Sequence, residues 1–113
     1  MQPAVLSKTD AIRALNDHSR VTFTGCAIVV TSAFQALATD VKARALQKVR
    51  SFFDFDEDND PHHEHDMGFF DESGERFFWK FDYYAPDMEH GSDNPADVEK
   101  TRRVLTIGLA SDY

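Results

Sequence analysis

The sequence contains a single cysteine and no long apolar run. Because Cys26 has no second cysteine to pair with, an intramolecular disulfide framework and a zinc site built on several cysteines are both excluded. The longest apolar stretch, Cys26 to Val30, is too short to cross a membrane or to form the core of a signal peptide. We therefore expect a cytoplasmic protein that is neither secreted nor embedded in a membrane.

Basic residues are scarce, since 12 Lys and Arg stand against 20 Asp and Glu, a formal net charge of −8. The acidic excess is densest from Asp54 to Asp66, here called the acidic loop, which contains seven carboxylates and no Lys or Arg. Duplex nucleic acid needs cations that neutralise its phosphates, so direct duplex binding is not expected. Hydration, a cation or a basic partner surface remain as the three ways of offsetting these repelling charges.

Ser7–Asp10 offers helix N-cap chemistry, and apolar residues at helical spacing follow it, which predicts a short first helix ending near Ser19. A β-rich run then predicts a strand over residues 21–31, in which Gly25 indicates either a bulge or a close approach of the backbone. Further apolar residues at intervals of three or four, from Phe34 to Phe52, predict a long second helix.

Two alternative starts for the second helix remain open. Ser32 and Gln35 have the spacing of a capping box, whereas Thr39 followed by Asp40 is an equally good cap for a helix that begins later.

After the acidic loop, Met67 to Tyr84 predicts a hairpin that turns at Ser73 and Gly74, so that opposed residue numbers sum to 147. The more apolar face, expected to be the core side, comprises Phe70, Phe77, Trp79, Phe81 and Tyr83. The other face comprises Arg76, Lys80, Asp82 and Tyr84, with His65 opposite Asp82. A final alternating strand is predicted from Arg102 to Ala110.

The order helix, strand, helix, hairpin, strand predicts an α+β fold over a single domain, residues 1–113. In it, a small and mostly antiparallel sheet packs against one long and one short helix. Ten Phe, three Tyr and one Trp supply its core and exclude a disordered acidic tail.

Long segments of the chain resemble a bacterial domain-of-unknown-function family, number 3768. The segments are Asp58–Gly68, Glu75–Tyr84 and Arg103–Ile107, with shorter ones at Ile12–Asp17 and Thr22–Gly25. The resemblance implies short cytosolic proteins, often encoded on plasmids or other mobile elements, and implies no biochemical activity. Members of the family resemble His-Gly-Glu-His-Asp where this chain has His62 to Asp66, so His63 is a departure from the pattern.

Metal-ligand residue types cluster where the acidic loop enters the hairpin. A divalent metal such as iron or zinc would be held by His62, His65, Asp66 and, through the hairpin register, Asp82. The spacing matches no established zinc or EF-hand signature. The structural alternative is that His65 and Asp82 form a cross-strand pair while Glu64 and Asp66 bind backbone donors of the loop.

A metal-free interpretation uses His65 as a proton shuttle oriented by Asp82, with Lys80 or Arg76 holding an anion. No nucleophile elbow or glycine-rich phosphate loop accompanies it. The combined hydrolase hypothesis, which leaves open whether the protein is an enzyme, uses Glu64, His65, Asp66 and Asp82.

The leading hypothesis is a small interaction protein, an accessory or inhibitor on a mobile element, that engages a basic, nucleic-acid-binding protein. Carboxylates spaced along a rigid domain can imitate a phosphate backbone. The residues expected to bind are Asp56, Glu57, Asp58, Asp60, Lys80 and Tyr84. Phe52, Phe53 and Phe55 lie alongside the loop and belong to this recognition surface. The structural alternative is a solvated acidic loop whose three Phe bury the end of the second helix.

Overall fold

The computed structural model describes residues 7–113. These residues form three α-helices and four strands, with short 3-10 turns at Val98–Lys100 and Ala110–Asp112. The helices are α1 (Lys8–Thr22), α2 (Ser32–Gln35) and α3 (Thr39–Ser51), and the strands are β1 (Ala27–Val30), β2 (Met67–Glu72), β3 (Glu75–Tyr84) and β4 (Arg102–Leu109). The sheet has the order β1-β4-β3-β2, in which β1 and β4 are parallel and the other pairs antiparallel. The predicted α+β class is confirmed.

Helix α1 begins as predicted, because the Ser7 hydroxyl oxygen accepts a hydrogen bond from Asp10 N at 3.0 Å. It ends at Thr22, later than predicted, since the Thr22 hydroxyl donates to His18 O at 2.7 Å. Phe23, at φ 56°, then closes the helix in the left-handed conformation.

The first strand is shorter than predicted. Because residues 21 and 22 belong to α1, only Ala27–Val30 is extended. Gly25, at φ 73°, lies in the connecting loop, so the bulge alternative is wrong. A Cβ atom at this position would lie 3.3 Å from Ser19 Oγ, which agrees with a close approach.

The predicted long helix is two helices, and both of its possible starts are used. Thr31, rather than Ser32, caps α2 by accepting a hydrogen bond from Phe34 N at 3.3 Å. Thr39 is the first residue of α3, while Ala38 occupies the cap position without a side-chain bond. Each predicted cap residue, Ser32 or Thr39, is instead the first residue of its helix, and the cap position lies one residue earlier.

The hairpin register is confirmed throughout β2 and β3, from Met67 opposite Lys80 to Glu72 opposite Glu75. Ser73 at φ 54° and Gly74 at φ 80° make the two-residue turn. The predicted core face is also confirmed, since Phe77, Trp79 and Phe81 are buried among residues of α2, α3 and β4.

The helices pack on that one face of the sheet. On the opposite face, the C-terminal Tyr113 packs against Phe69 and Phe78. Phe78 is buried there because Gly108, its partner on β4, leaves room that a Cβ atom would fill. Within residues 7–113, no helix is long and apolar enough to span a membrane.

Candidate interaction site

The outer part of the acidic loop has a fixed shape. One Asp56 side-chain oxygen accepts hydrogen bonds from Asp58 N and Asn59 N, both at 2.9 Å. The Asn59 side chain in turn accepts from Asp56 N at 2.9 Å and donates to Asp54 O at 2.8 Å. This reciprocal bonding presents the carboxylates of the loop on an ordered backbone.

The carboxylates of the loop divide into an outer and an inner set. Asp54, Asp56, Glu57 and Asp58 are exposed, whereas the side chain of Asp60 is only 3% exposed. Glu64 and Asp66 are half-buried. The outer four therefore present charge to solvent, and Asp60, predicted as a binding residue, faces the protein instead.

His65 joins the inner part of the loop to α1. Its Nδ1 lies 2.8 Å from Asp17 Oδ1, and its Nε2 lies 3.5 Å from Asp60 Oδ2. The ring stacks on Phe55 with centroids 3.6 Å apart and planes within 3°. Asp60 Oδ1 also accepts a hydrogen bond from His65 N at 2.9 Å. His65 thus connects the loop, α1 and the aromatic core.

The predicted cross-strand pair of His65 and Asp82 is wrong. The ladder between β2 and β3 ends at the bond from Phe81 N to Asp66 O, and His65, at φ 53°, turns away toward the helices. Asp82 is on the opposite face of the sheet, because it alternates with the core residues of β3, and it contacts Lys80 at 3.1 Å.

The four predicted metal ligands are consequently not brought together. His65 faces two carboxylates, Asp82 lies across the sheet, and His62 is exposed. Across residues 7–113, the residues whose ligand atoms do converge within 4.8 Å are Asp87, Glu89 and His90, on the exposed loop after β3.

A buried polar network that the sequence analysis missed holds the inner loop in place. Asn16, fully buried on α1, donates to Tyr83 Oη at 2.7 Å and to Glu64 O at 3.0 Å, and accepts from Arg103 Nε at 2.9 Å. Tyr83 donates in turn to Glu64 Oε1 at 3.0 Å. Burial raises the pKa of Tyr83, so its hydroxyl remains a donor near neutral pH.

Arg20 is the second buried element that fixes the start of the loop. Its Nη1 donates to Val49 O at 3.0 Å and Phe52 O at 2.9 Å, where α3 ends. Its guanidinium lies over the rings of Phe55 and Trp79. Asn16 and Arg20 follow the buried Ile12 at intervals of four residues, so they lie on the same buried face of α1. Polar residues at apolar positions of a helix are the sequence signal that could have identified these two buried groups.

The three Phe residues at the start of the acidic loop differ in how far they are exposed. Phe52 is buried and Phe55 half-buried, as the packing alternative expects, whereas Phe53 is 81% exposed and does not bury the end of the helix. Phe53 and Asp54 border a surface cavity of about 450 Å³ that extends to Phe69 and Arg76 on the hairpin. An aromatic ring therefore stands in solvent next to Asp54, the first of the four outer carboxylates.

The backbone conformation of His63 explains why the family pattern has glycine at this position. It has φ 58°, in the left-handed region that favours glycine, and its carbonyl accepts a hydrogen bond from Arg13 at 3.0 Å. The glycine implied by the resemblance fits this conformation without a Cβ penalty.

We therefore expect His63→Gly to raise the free energy of unfolding by about 0.5 to 1 kcal/mol, because it relieves this strain. Chemical denaturation measures the change. The matched control is His62→Gly next to it, where φ is not positive and glycine should be slightly destabilising. Equal destabilisation by both variants would contradict the explanation.

Ionised Asp66 lowers the stability of the folded state. Burial, followed by repulsion from Glu64, raises the pKa of the Asp66 carboxyl. A raised pKa in the folded state means that ionised Asp66 opposes folding above that pKa. The cost is relieved as the pH falls through the raised value toward the ordinary one.

Asp66→Asn is thus expected to stabilise the protein at neutral pH, by at most about 1 kcal/mol because the side chain is partly solvated. The difference from wild type should shrink as the pH is lowered and vanish below the ordinary aspartate pKa. Unfolding midpoints of both proteins across the acid range measure it, and all other carboxylates cancel in the comparison. A constant or growing difference at low pH would be inconsistent with the assigned cause.

A family model described as "Protein of unknown function (DUF3768)" matches residues 30–112. No curated protein and no solved structure matches the chain.

Proposed function

Because the chain belongs to the DUF3768 family of proteins of unknown function, we propose a function from its surface: it binds a basic, nucleic-acid-binding protein through the acidic loop. The observation that supports this most is the exposed ring of Phe53 beside Asp54, at the start of an ordered loop that carries four exposed carboxylates. Exposed aromatic side chains contribute strongly at protein interfaces, and surrounding charges select and orient the partner.

The proposed binding surface is narrower than the set of residues expected from the sequence. It consists of Phe53, Asp54, Asp56, Glu57 and Asp58. Asp60 and His65 support the loop from inside. Lys80, Asp82 and Tyr84 are left out because the hairpin residues that share a cavity with Asp56 and Asp58 are Met67, Phe69 and Arg76. These five residues carry four carboxylates and no cation, while Lys48 and Arg76 border the cavity beside Phe53. The net negative charge favours a partner with clustered Lys and Arg.

Occupation of a nucleic-acid-binding groove is the proposed mechanism. The outer carboxylates would take the positions of phosphates, and Phe53 would enter an apolar recess beside them. A cytoplasmic accessory or inhibitor of a mobile element is the role that this mechanism would serve, in agreement with what the family resemblance implies.

The hydrolase hypothesis stays a prediction without geometric support. Its four residues, Glu64, His65, Asp66 and Asp82, lie on two sides of the sheet. Both ring nitrogens of His65 already face carboxylates.

The test uses capture of basic proteins from bacterial lysate on the immobilised chain, followed by purification of the main bound protein and measurement of its affinity. Phe53→Ala should weaken binding at least about tenfold, mostly through faster dissociation. The triple variant Asp54→Asn, Glu57→Gln, Asp58→Asn should slow association and reduce the salt dependence. None of these three side chains accepts a hydrogen bond within residues 7–113, so the fold should persist.

The matched control is Glu75→Gln, Asp93→Asn, Glu99→Gln, which removes the same charge from exposed positions elsewhere. This control variant should bind the partner as wild type does. Duplex DNA should displace the partner from the wild-type chain. Equal losses in the two triple variants, or a bound protein that DNA does not displace, would contradict the proposal.

A further inference from the structure

Strand β1 lies at the edge of the sheet within an uncharged stretch of the chain. No Asp, Glu, Lys or Arg occurs from Val21 to Thr39, although such residues make up 28% of the sequence. The sheet order β1-β4-β3-β2 gives β1 one neighbour, β4. This edge is therefore the part of an acidic molecule that another copy can approach without bringing carboxylates together.

The outer edge of β1 carries free hydrogen-bonding groups. Thr31 N donates to Ile107 O at 3.1 Å, so by the alternation of a parallel ladder the N–H and C=O groups of Ile28 and Val30 point away from β4. Within residues 7–113, no other strand pairs with them. The groups that would bind them are those of another extended strand.

The side chains of β1 are also unprotected. Ile28 is 38% exposed and Val29 is 47% exposed. Natural sheets shield such edges with charged residues, proline or bulges, and β1 has none of these. The apolar surface thus accompanies the free backbone groups.

Charges of opposite sign stand at the two ends of β1. Arg102 is exposed on β4 beside the start of β1, and Asp112 bonds to Thr31 at 2.7 Å, just beyond its end. Neither residue forms an ion pair within residues 7–113. In an antiparallel pair of β1 strands, the start of each meets the end of the other, so Arg102 of each copy and Asp112 of its partner lie at the same end of the joined strands, where their opposite charges attract each other across β1.

We infer that two copies of the chain pair through antiparallel β1 strands about a two-fold axis, which joins their sheets into one. The pairing is self-complementary in hydrogen bonds, apolar surface and charge. Because the contact strand has only four residues, the dimer should dissociate on dilution. The acidic loop lies at the opposite edge, beside β2, so the dimer would present two such loops facing away from each other.

The first test is the molecular mass by sedimentation equilibrium over a wide range of concentration. Wild type should approach twice its monomer mass of 12.9 kDa at high concentration. Val29→Lys should remain monomeric, because it brings two cations together at the centre of the interface. Val21→Lys, the same change at a Val on α1 that is also 47% exposed, should dimerise like wild type.

The second test checks the orientation of the strands. Arg102→Glu and Asp112→Lys should each weaken the dimer, since each places like charges together. Mixing the two variants should restore association, because both charge pairs are then attractive. Circular dichroism of each variant verifies the fold.

A wild-type protein that stays monomeric at all concentrations would overturn the inference. So would a dimer that survives Val29→Lys, which would place the contact elsewhere, or variants whose mixing restores nothing. A wild-type monomer whose β1 amides become protected only when a basic partner is added would assign the edge to that partner instead and would also overturn it.

Discussion

Asn16→Leu is expected to lower the free energy of unfolding by about 3 kcal/mol. The replacement keeps a similar volume on α1 but removes the partner of Arg103 Nε and the donor to Tyr83 and Glu64. A buried guanidinium that loses an acceptor costs more than a neutral group, so most of the effect comes from Arg103. Urea denaturation followed by tryptophan fluorescence measures the loss.

Two further variants distinguish the loss of the buried polar network from a general effect of substitution in α1. His18→Leu changes an exposed residue of the same helix and should alter stability by less than about 0.5 kcal/mol. Tyr83→Phe should cost about 1 kcal/mol alone and much less in the Asn16→Leu background, because the two residues share a hydrogen bond. Additive effects, or a loss from Asn16→Leu below about 1 kcal/mol, would show that the network contributes little.

Arg20→Met is expected to cost about 3 kcal/mol, a similarly large loss. Methionine keeps the apolar stem of the side chain but leaves the carbonyls of Val49 and Phe52 without their donor at the end of α3. It also removes a cation from the negative end of that helix and from Asp17. Denaturant unfolding measures the loss of stability.

The control for this prediction is Arg50→Met, the same substitution at an exposed arginine. Arg50 donates to Val21 O at 2.8 Å, at the protein surface, so its loss should cost under about 1 kcal/mol. Hydrogen exchange adds a local measurement. Amides of the acidic loop should exchange faster in Arg20→Met, and similar losses in both arginine variants would indicate that burial of Arg20 is unimportant.

Local patterns in the sequence predicted much of the fold. The hairpin register followed from the two-residue turn at Ser73 and Gly74, since a fixed turn leaves one pairing. The alternation of aromatic residues in β3 then identified the core face. Boundaries near Thr22 and Ala38 were less predictable, because capping depends on single hydrogen bonds that several neighbouring residues can make.

The candidate site was predicted only as a segment. The acidic loop was evident from its composition, but the sequence could not divide its carboxylates into outer and inner sets. That division depends on Asp17, Asn16 and Arg13, which come from α1 and lie about fifty residues away along the chain. Contacts over such separations carry no local periodicity.

The sequence by itself determined the α+β class, the hairpin and the acidic character, because these depend on short-range turn chemistry, alternation and charge. The tertiary structure decided that His65 faces α1 instead of Asp82, since a left-handed backbone at His65 takes it out of the ladder. It also decided that Phe53 stands in solvent and that β1 is a free edge. Each of these depends on which elements pack together, a choice made by burial of the whole core rather than by any one segment.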